Sequence, residues 1–304
     1  MKQIELHEDP FLLIKSNYIQ MHPAMKRIAD VLISRQNISG GMSISELASS
    51  SGVSNATVTR FVQMLGFENY KSFSQAIRKY GHIATSAGLP GEGGDMLAYA
   101  GGRPNSSDAE SVCRYVISSE IEMLNDTLAM MDFNVMEKVA ELLCRARQVI
   151  FAGEGRSYLA AKSAVTRFSG IGILCSCHDS LHGMIPAVCM CKPEDLVIGI
   201  SNMGHSAAVT ECLKQASACQ ASTVAITCVK GSPVDLAAQN TILTGFNYGN
   251  FASGGQSTCY EPGSENLPQY SVIDCLYLIC AMRQNQSCLE QYRRASNILD
   301  AGRI

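Results

Sequence analysis

Two short stretches of this chain carry residue types that together can hold an anion. Gly153-Glu154-Gly155-Arg156-Ser157 follows the apolar run Val149-Ile150-Phe151-Ala152, and Ser201-Asn202-Met203-Gly204-His205-Ser206 follows Leu196-Val197-Ile198-Gly199-Ile200. Each reads as a strand running into a turn, with a helix beginning at Tyr158 in the first case and at Ala207 in the second. Glycine lets main chain approach a ligand, amides at a helix start point outward, and a serine hydroxyl donates to a phosphate oxygen. Two such turns at the carboxyl edge of one sheet can hold one phosphate jointly. The first turn lacks the third glycine of a dinucleotide fingerprint and has no acidic residue suitably placed about 20 residues on, which argues against a dinucleotide. A Walker loop is absent as well.

A second chemistry-bearing stretch lies near the N-terminus. Ser43-Ile44-Ser45-Glu46 has the form of a capping box that starts a helix burying Ile44, Leu47 and Ala48. Gly52 suits the left-handed residue between two steeply crossed helices, and Ser54 caps the next one. On that second helix Val58, Phe61, Val62 and Leu65 share one face, leaving Ala56, Thr59, Arg60 and Gln63 opposite. A small, polar, cationic face suits the DNA major groove, with Asn55 and Thr57 near the helix start available to base edges or phosphates. Lys71, Arg78 and Lys79 either add phosphate contacts or form an ordinary solvated face.

The elements that must position these residues divide the chain in two. Between Gly81 and Asp108 lie seven of the 25 glycines with Pro90 and Pro104, a connector composition. The expected organisation is therefore a helix-turn-helix domain at 1–80, a flexible linker at 81–108 and a second domain at 109–304. Upstream, apolar residues recur at helical spacing around 12–19, 25–33, 44–48, 58–65 and 73–77, so the front domain is all helical. Downstream, two helices at about 109–131 and 134–146 precede β-rich runs at 149–152, 171–175, 196–200, 223–227 and 241–243 alternating with helical stretches. That alternation predicts a three-layer α/β body with a parallel sheet, giving an α + α/β fold class overall.

Charge follows the same division. The net charge is −3, yet residues 1–80 hold nine Lys and Arg against six Asp and Glu. Polyanion binding is thus assigned to the front, because the remainder is net acidic. No apolar run approaches the roughly 18 residues of a membrane span. The first residues carry Glu5, Glu8 and Asp9 rather than a basic-then-apolar export signal, so a cytoplasmic protein is expected. All thirteen cysteines fall after the linker, and reduced thiols used as small core residues are the expected state.

The strings Ile44-Ser45-Glu46-Leu47-Ala48, Val53-Ser54-Asn55-Ala56-Thr57-Val58-Thr59-Arg60-Phe61 and Leu65-Gly66-Phe67-Glu68-Asn69-Tyr70-Lys71-Ser72-Phe73 resemble the RpiR/MurR family of phosphosugar-responsive regulators over nearly all of residues 10–80. The two later turns, with Ala225-Ile226-Thr227 and Ser232-Pro233, resemble the sugar isomerase (SIS) domain over about 109–300. The resemblance implies Ser157, Ser201, Asn202 and Ser206 as phosphosugar contacts, Arg156 and Gly204 as residues shaping the turns, and Ser54, Asn55, Ala56, Thr57, Thr59, Arg60 and Gln63 as the DNA-reading set. Met203 departs from the small polar residue common there and removes a donor. The segment 265–282, with Val272-Ile273-Asp274, resembles the closing helix of the regulator version, although Asn266 replaces a frequent arginine.

The expected function is a transcriptional regulator, not an enzyme, whose operator affinity is controlled by a phosphorylated sugar or amino sugar. Its partners are double-stranded operator DNA, that effector and further copies of the chain as a homodimer or homotetramer, without membrane, cofactor or metal. Two rivals stay open: an isomerase or lyase using His182 or Glu265 as acid or base, and a regulator keeping a ligand-free second domain only for dimerisation. Cys175-x-Cys177-His178 and Cys189-x-Cys191 have the alternation of a soft-metal site, weighed against general core filling that includes Cys212, Cys219, Cys275 and Cys280 on apolar helical faces. His178, Asp179 and His182 follow the second expected strand, either lining the pocket or lying on the surface, and the glycine-rich stretch 246–263 is either a lid or a loop without order.

Overall fold

Asp9 opens the first helix: its carboxylate accepts the amides of Phe11 and Leu12 at 2.9 and 3.4 Å, with Pro10 at the first helical position. The computed structural model describes residues 9–34, 42–81, 108–246 and 266–283, together with 293–294 and 297–298. The expected linker at 81–108 and the stretch 246–263 fall almost wholly outside the described residues. What is described gathers into two compact units, 1–130 with 245–264 and 131–244 with 265–304.

The first unit is helical throughout its described residues: α1 Pro10–Asn17, α2 Pro23–Ser34, α3 Ile44–Ser50, α4 Asn55–Met64, α5 Tyr70–Gly81 and α6 Ala109–Met130. Its core holds Ile14, Ile28, Leu32, Leu47, Phe61, Phe73 and Ile77, each at most 1% exposed. Phe73 meets Phe61 and Phe67 edge-on at 6.2 and 5.3 Å, the quadrupole-favoured arrangement. Helix α6, which the sequence division groups with the later domain, gathers by its contacts with this front unit. One pairing between α1 and α6 is ionic. Lys15 of α1, buried, donates to Glu122 and Asp126 of α6, each at 2.7 Å.

The second unit is a five-stranded parallel sheet in the order β2-β1-β3-β4-β5, with β1 Val149–Gly153, β2 Cys175–His178, β3 Leu196–Ile200, β4 Ser222–Thr227 and β5 Asn240–Leu243. Period-two alternation sends Val149, Phe151, Leu196, Ile198, Val224 and Ile226 to one face. There they meet α7 Phe133–Arg145, α8 Arg156–Gly170 and α12 Leu267–Arg283. Ile150, Ala152, Val197 and Ala225 point the other way, onto α9 Leu181–Cys189, α10 Ala207–Ala218 and α11 Pro233–Ala237. Both faces of the central strands β1, β3 and β4 are covered, which is why they are buried runs rather than polar-apolar alternations.

One expected strand is displaced. The run 171–175 is not a strand at its start, because Ile171 and Ile173 both donate to Phe168 O while Gly172 takes φ +85°, closing the end of α8. The strand begins at Cys175 instead. The cysteines correct a second expectation: Cys113, Cys144, Cys189 and Cys275 are exposed, so core filling describes Cys191, Cys212, Cys228 and Cys280 but not the set. Among the described residues no group of three or more His, Cys, Asp or Glu side chains is gathered as a metal ion would need.

At the amino edge of the sheet Asp195, fully buried, receives a two-pronged Arg147 guanidinium at 2.8 and 2.6 Å, the Lys192 amide at 2.8 Å and Gln148 Nε2 at 3.1 Å. Burial works to raise this carboxyl, but the Arg147 contact, the Lys192 amide and Gln148 outweigh it and hold the group below the ordinary carboxylate range. An Asp195→Asn variant should lose about 2 kcal/mol at pH 7. A depressed carboxylate contributes above its unfolded pKa of about 3.9 and loses that contribution as pH falls through the folded value. Urea midpoints by circular dichroism should therefore differ at pH 7 and converge in acid.

Candidate functional site

The strand order puts the topological switch point between β1 and β3, which lie side by side with Gly153 opposite Ile200. In open α/β sheets the crevice beyond the carboxyl ends at that point is where ligands sit. The two serine turns leave the sheet there, and they meet: Ser206 Oγ donates to Glu154 Oε2 at 2.5 Å. The juxtaposition expected from the sequence is thus realised, through a contact that the sequence did not indicate.

In the first turn α8 begins at Arg156, two residues earlier than expected, so Ser157 lies inside the first helical turn. Its amide and that of Tyr158 fold back onto the Glu154 and Gly155 carbonyls at 3.1 and 3.2 Å, so these two amides are engaged. The Ser157 side chain is buried and accepts from Gln269 Nε2 at 3.5 Å, leaving its proton to give. Gln269 is itself fixed by Asn266 Nδ2 at 2.7 Å. The residue that departs from the family arginine therefore belongs to the support of Ser157. Near the end of β2 the Tyr158 phenol is raised above its ordinary value, first by Cys177 and then by burial and the Asp179 charge.

The second turn is the more open donor array. Among the described residues the main-chain N–H groups of Met203, His205 and Ser206 have no partner, nor has the Ser201 hydroxyl. The adjacent unpaired amides of His205 and Ser206, with that of Met203 one engaged residue away, are donors of the kind that line an anion-binding concavity. Asn202 Oδ1 is buried and unpaired. Gly204 takes φ +68°, and its carbonyl accepts Val234 N–H at 3.1 Å, so the turn rests against the 227–233 connection. Ser206 caps α10 by accepting Val209 N–H at 3.1 Å. With its proton on Glu154, the hydroxyl has no donor left to give. Met203 turns its sulfur to Cys228 Sγ at 3.9 Å. Exposed Asp179 and His182 lie beyond β2, which ends at half-buried His178, while Glu265 is outside the described residues.

In the first unit Ser43 and Glu46 close the capping box at 2.6 and 3.2 Å, and Gly52 takes φ +61°. Arg27 of α2, which no motif indicated, donates to the Ser51 and Gly52 carbonyls at 3.1 and 3.4 Å and clamps the turn between α3 and α4. Ser54 caps α4 through Thr57 N–H at 3.2 Å and also meets Thr57 Oγ1 at 3.0 Å. Asn55 Nδ2 reaches Ser45 Oγ at 3.4 Å, and Thr59 Oγ1 back-bonds to Asn55 O at 3.1 Å. Ala56, Arg60 and Gln63 are exposed, opposite the buried Val58, Phe61 and Val62.

Residues 11–81 match a family model described as the helix-turn-helix domain of the rpiR family, and residues 142–259 match the SIS domain. A protein of Caldanaerobacter subterraneus subsp. tengcongensis named an HTH-type transcriptional regulator is 22% identical, covering 97% of this chain and 99% of its own. One of Haemophilus influenzae with the same kind of name is 23% identical, covering 96% of each. Among solved structures, the Vibrio vulnificus NanR protein complexed with ManNAc-6P aligns with 95% of this chain and 98% of its own, at TM-score 0.56 and 17% identity. The sugar isomerase domain of the RpiR transcription factor from Sphaerobacter thermophilus covers 61% of this chain and 98% of its own, at TM-score 0.53 and 22% identity. These likenesses carry the fold of the second unit.

Proposed function

We propose that the chain is a transcription regulator joining an rpiR-family helix-turn-helix domain to a SIS domain, and that a phosphorylated sugar, held at the β1–β3 crevice, controls operator affinity at α4. The observation that supports this most is the second turn, whose open amides and free Ser201 hydroxyl stand at the switch point beside Ser157. The phosphate of the effector accepts from Ser201, Ser157 and the amides of Met203, His205 and Ser206, with Asn202 a further contact to the phosphosugar and Arg156 and Gly204 shaping the turns. Ser206 joins by exchanging the Glu154 carboxylate for a phosphate oxygen. Because the NanR protein is complexed with ManNAc-6P, amino-sugar phosphates are the first compounds to try.

On the DNA side Ser54, Asn55, Ala56, Thr57, Thr59, Arg60 and Gln63 face the duplex. One exposed cation on α4 is a modest electrostatic footprint, so paired copies on two half-sites supply the affinity. The domains divide near 81–108, the protein acts in the cytoplasm as a homo-oligomer, and it catalyses no reaction.

The test is a thermal-shift screen of hexose, pentose and amino-sugar phosphates, followed by gel shifts on duplexes selected from a randomised library. A specific ligand should raise Tm by mass action. Ser201→Ala, removing one charge-assisted hydrogen bond, should weaken that ligand roughly 10- to 100-fold. Arg60→Ala should weaken DNA binding and leave sugar binding alone. Coupling must be reciprocal, so duplex and sugar should alter each other's affinity by one factor. Turnover of the sugar would favour the enzyme reading, and the absence of any shift would favour a domain kept for dimerisation.

A further inference from the structure

A pair of thiols on the far helices of the second unit has no part in the ligand site. Cys144 lies in the last turn of α7 and is exposed, while Cys280 lies on α12 and is buried. Cys280 Sγ rests against Ala140 O at 3.6 Å. Ala140 is one helical turn before Cys144, and a helical side chain leans over the turn N-terminal to its own Cα, so the Cys144 thiol covers that same spot. Both thiols therefore lie at the Ala140 carbonyl, on the seam between α7 and α12. Arg283 of α12 pairs with Glu137 of α7, so the two helices also meet through their side chains. The thiolate is the reacting form, and exposure decides which thiol an oxidant reaches first.

We propose that Cys144 and Cys280 form a peroxide-responsive pair whose oxidation cross-links α7 to α12. The Cys144 thiolate attacks one oxygen of a hydroperoxide; the O–O bond breaks, a sulfenic acid forms, and the departing oxide leaves as water or an alcohol after protonation. Cys280 then gives its electron pair to the Cys144 sulfur. The S–S bond forms, the S–O bond breaks, and the hydroxide leaves as water with the Cys280 proton. Each cycle removes two electrons from the thiols and reduces one peroxide. Burial and the neighbouring Cys144 raise the Cys280 thiol, while exposed Cys144 meets the oxidant first, which fixes the order of attack. Helix α12 carries Gln269, the partner of Ser157, so the cross-link fastens the helix that supports the crevice.

The experiment exposes the full chain to equimolar hydrogen peroxide, blocks free thiols with N-ethylmaleimide and maps peptides by mass spectrometry. The expected product is a linked pair of peptides containing Cys144 and Cys280, lighter by two hydrogens and restored by dithiothreitol. Cys144→Ser should remove the linked product, and Cys280→Ser should leave a Cys144 sulfenic acid that dimedone captures. Full alkylation of both residues in the wild type, or preferential pairing of Cys144 with another cysteine, overturns the proposal. Cys144 is exposed, so the Cys144→Ser arm reads the chemistry even if Cys280→Ser fails to fold.

Discussion

Gly204→Ala should lower the stability of the second unit by about 2–5 kcal/mol, summing the left-handed backbone cost with overpacking. At φ +68° an added Cβ would stand 2.0 Å from Ser232 Oγ, 2.5 Å from Ser232 Cβ and 2.9 Å from Thr227 Oγ1. None of these neighbours can give easily. Ser232 is buried and caps α11 through Asp235 N–H at 3.3 Å, and Thr227 Oγ1 donates to Asn202 O at 3.0 Å. The turn must therefore lift off the 227–233 connection, carrying the amides of Met203, His205 and Ser206 with it. Loss of phosphosugar binding should accompany the fall in Tm. A Gly204→Ala/Ser232→Gly double variant removes the closest clash but not the φ cost, so it should recover part of the stability. A single variant that melts like the wild type would show that the turn is not held in this conformation.

Where local chemistry determines an element, the sequence is enough to find it. Ser43 with Glu46, Gly52 and Ser54 specify the helix-turn-helix through caps and one left-handed residue, and all three appear where expected. The strands β1 and β3 are apolar runs bounded by turn residues, and β3 has the bounds that its pattern predicts. The strand β2 does not, because its Cys-Ser-Cys-His is half exposed at a sheet edge and has no apolar run to signal it. The run that looks like the strand, Ile171-Gly172-Ile173, is apolar because it closes a helix against the core. Contacts between distant segments leave no local trace. Glu154 is 52 residues from Ser206, Gln269 is 112 from Ser157, and Arg27 is 24 from Ser51; each sits in a stretch whose own pattern is satisfied without it.

Lys15 is the distant contact with the largest expected effect on the first unit. Burial opposes its charge, but Asp126 and Glu122 outweigh burial and hold the ammonium above the ordinary lysine value. Asp126, 14% exposed against 63% for Glu122, bears the greater desolvation, and burial raises its carboxyl despite Lys15. Asp9 is raised by its burial as well. Lys15→Met at pH 7 leaves Asp126 charged, buried and unpaired, a change that costs about 3–5 kcal/mol. The sign of the pH response follows: a carboxyl whose folded pKa is raised above its unfolded value gains stability as pH falls and it takes up a proton. The variant should therefore recover between neutral pH and mild acid, while the wild type, with Lys15 to compensate Asp126, should show less of this recovery. Hydrogen exchange along α1 and α6 reads the effect where it arises, since a whole-chain melt mixes two units. Lys15→Met/Asp126→Leu should restore most of the protection at pH 7, because an apolar pair removes the orphaned charge. If the single variant exchanged no faster than the wild type, or the double no slower than the single, α6 would be held to α1 by apolar packing and the ion pair would be incidental.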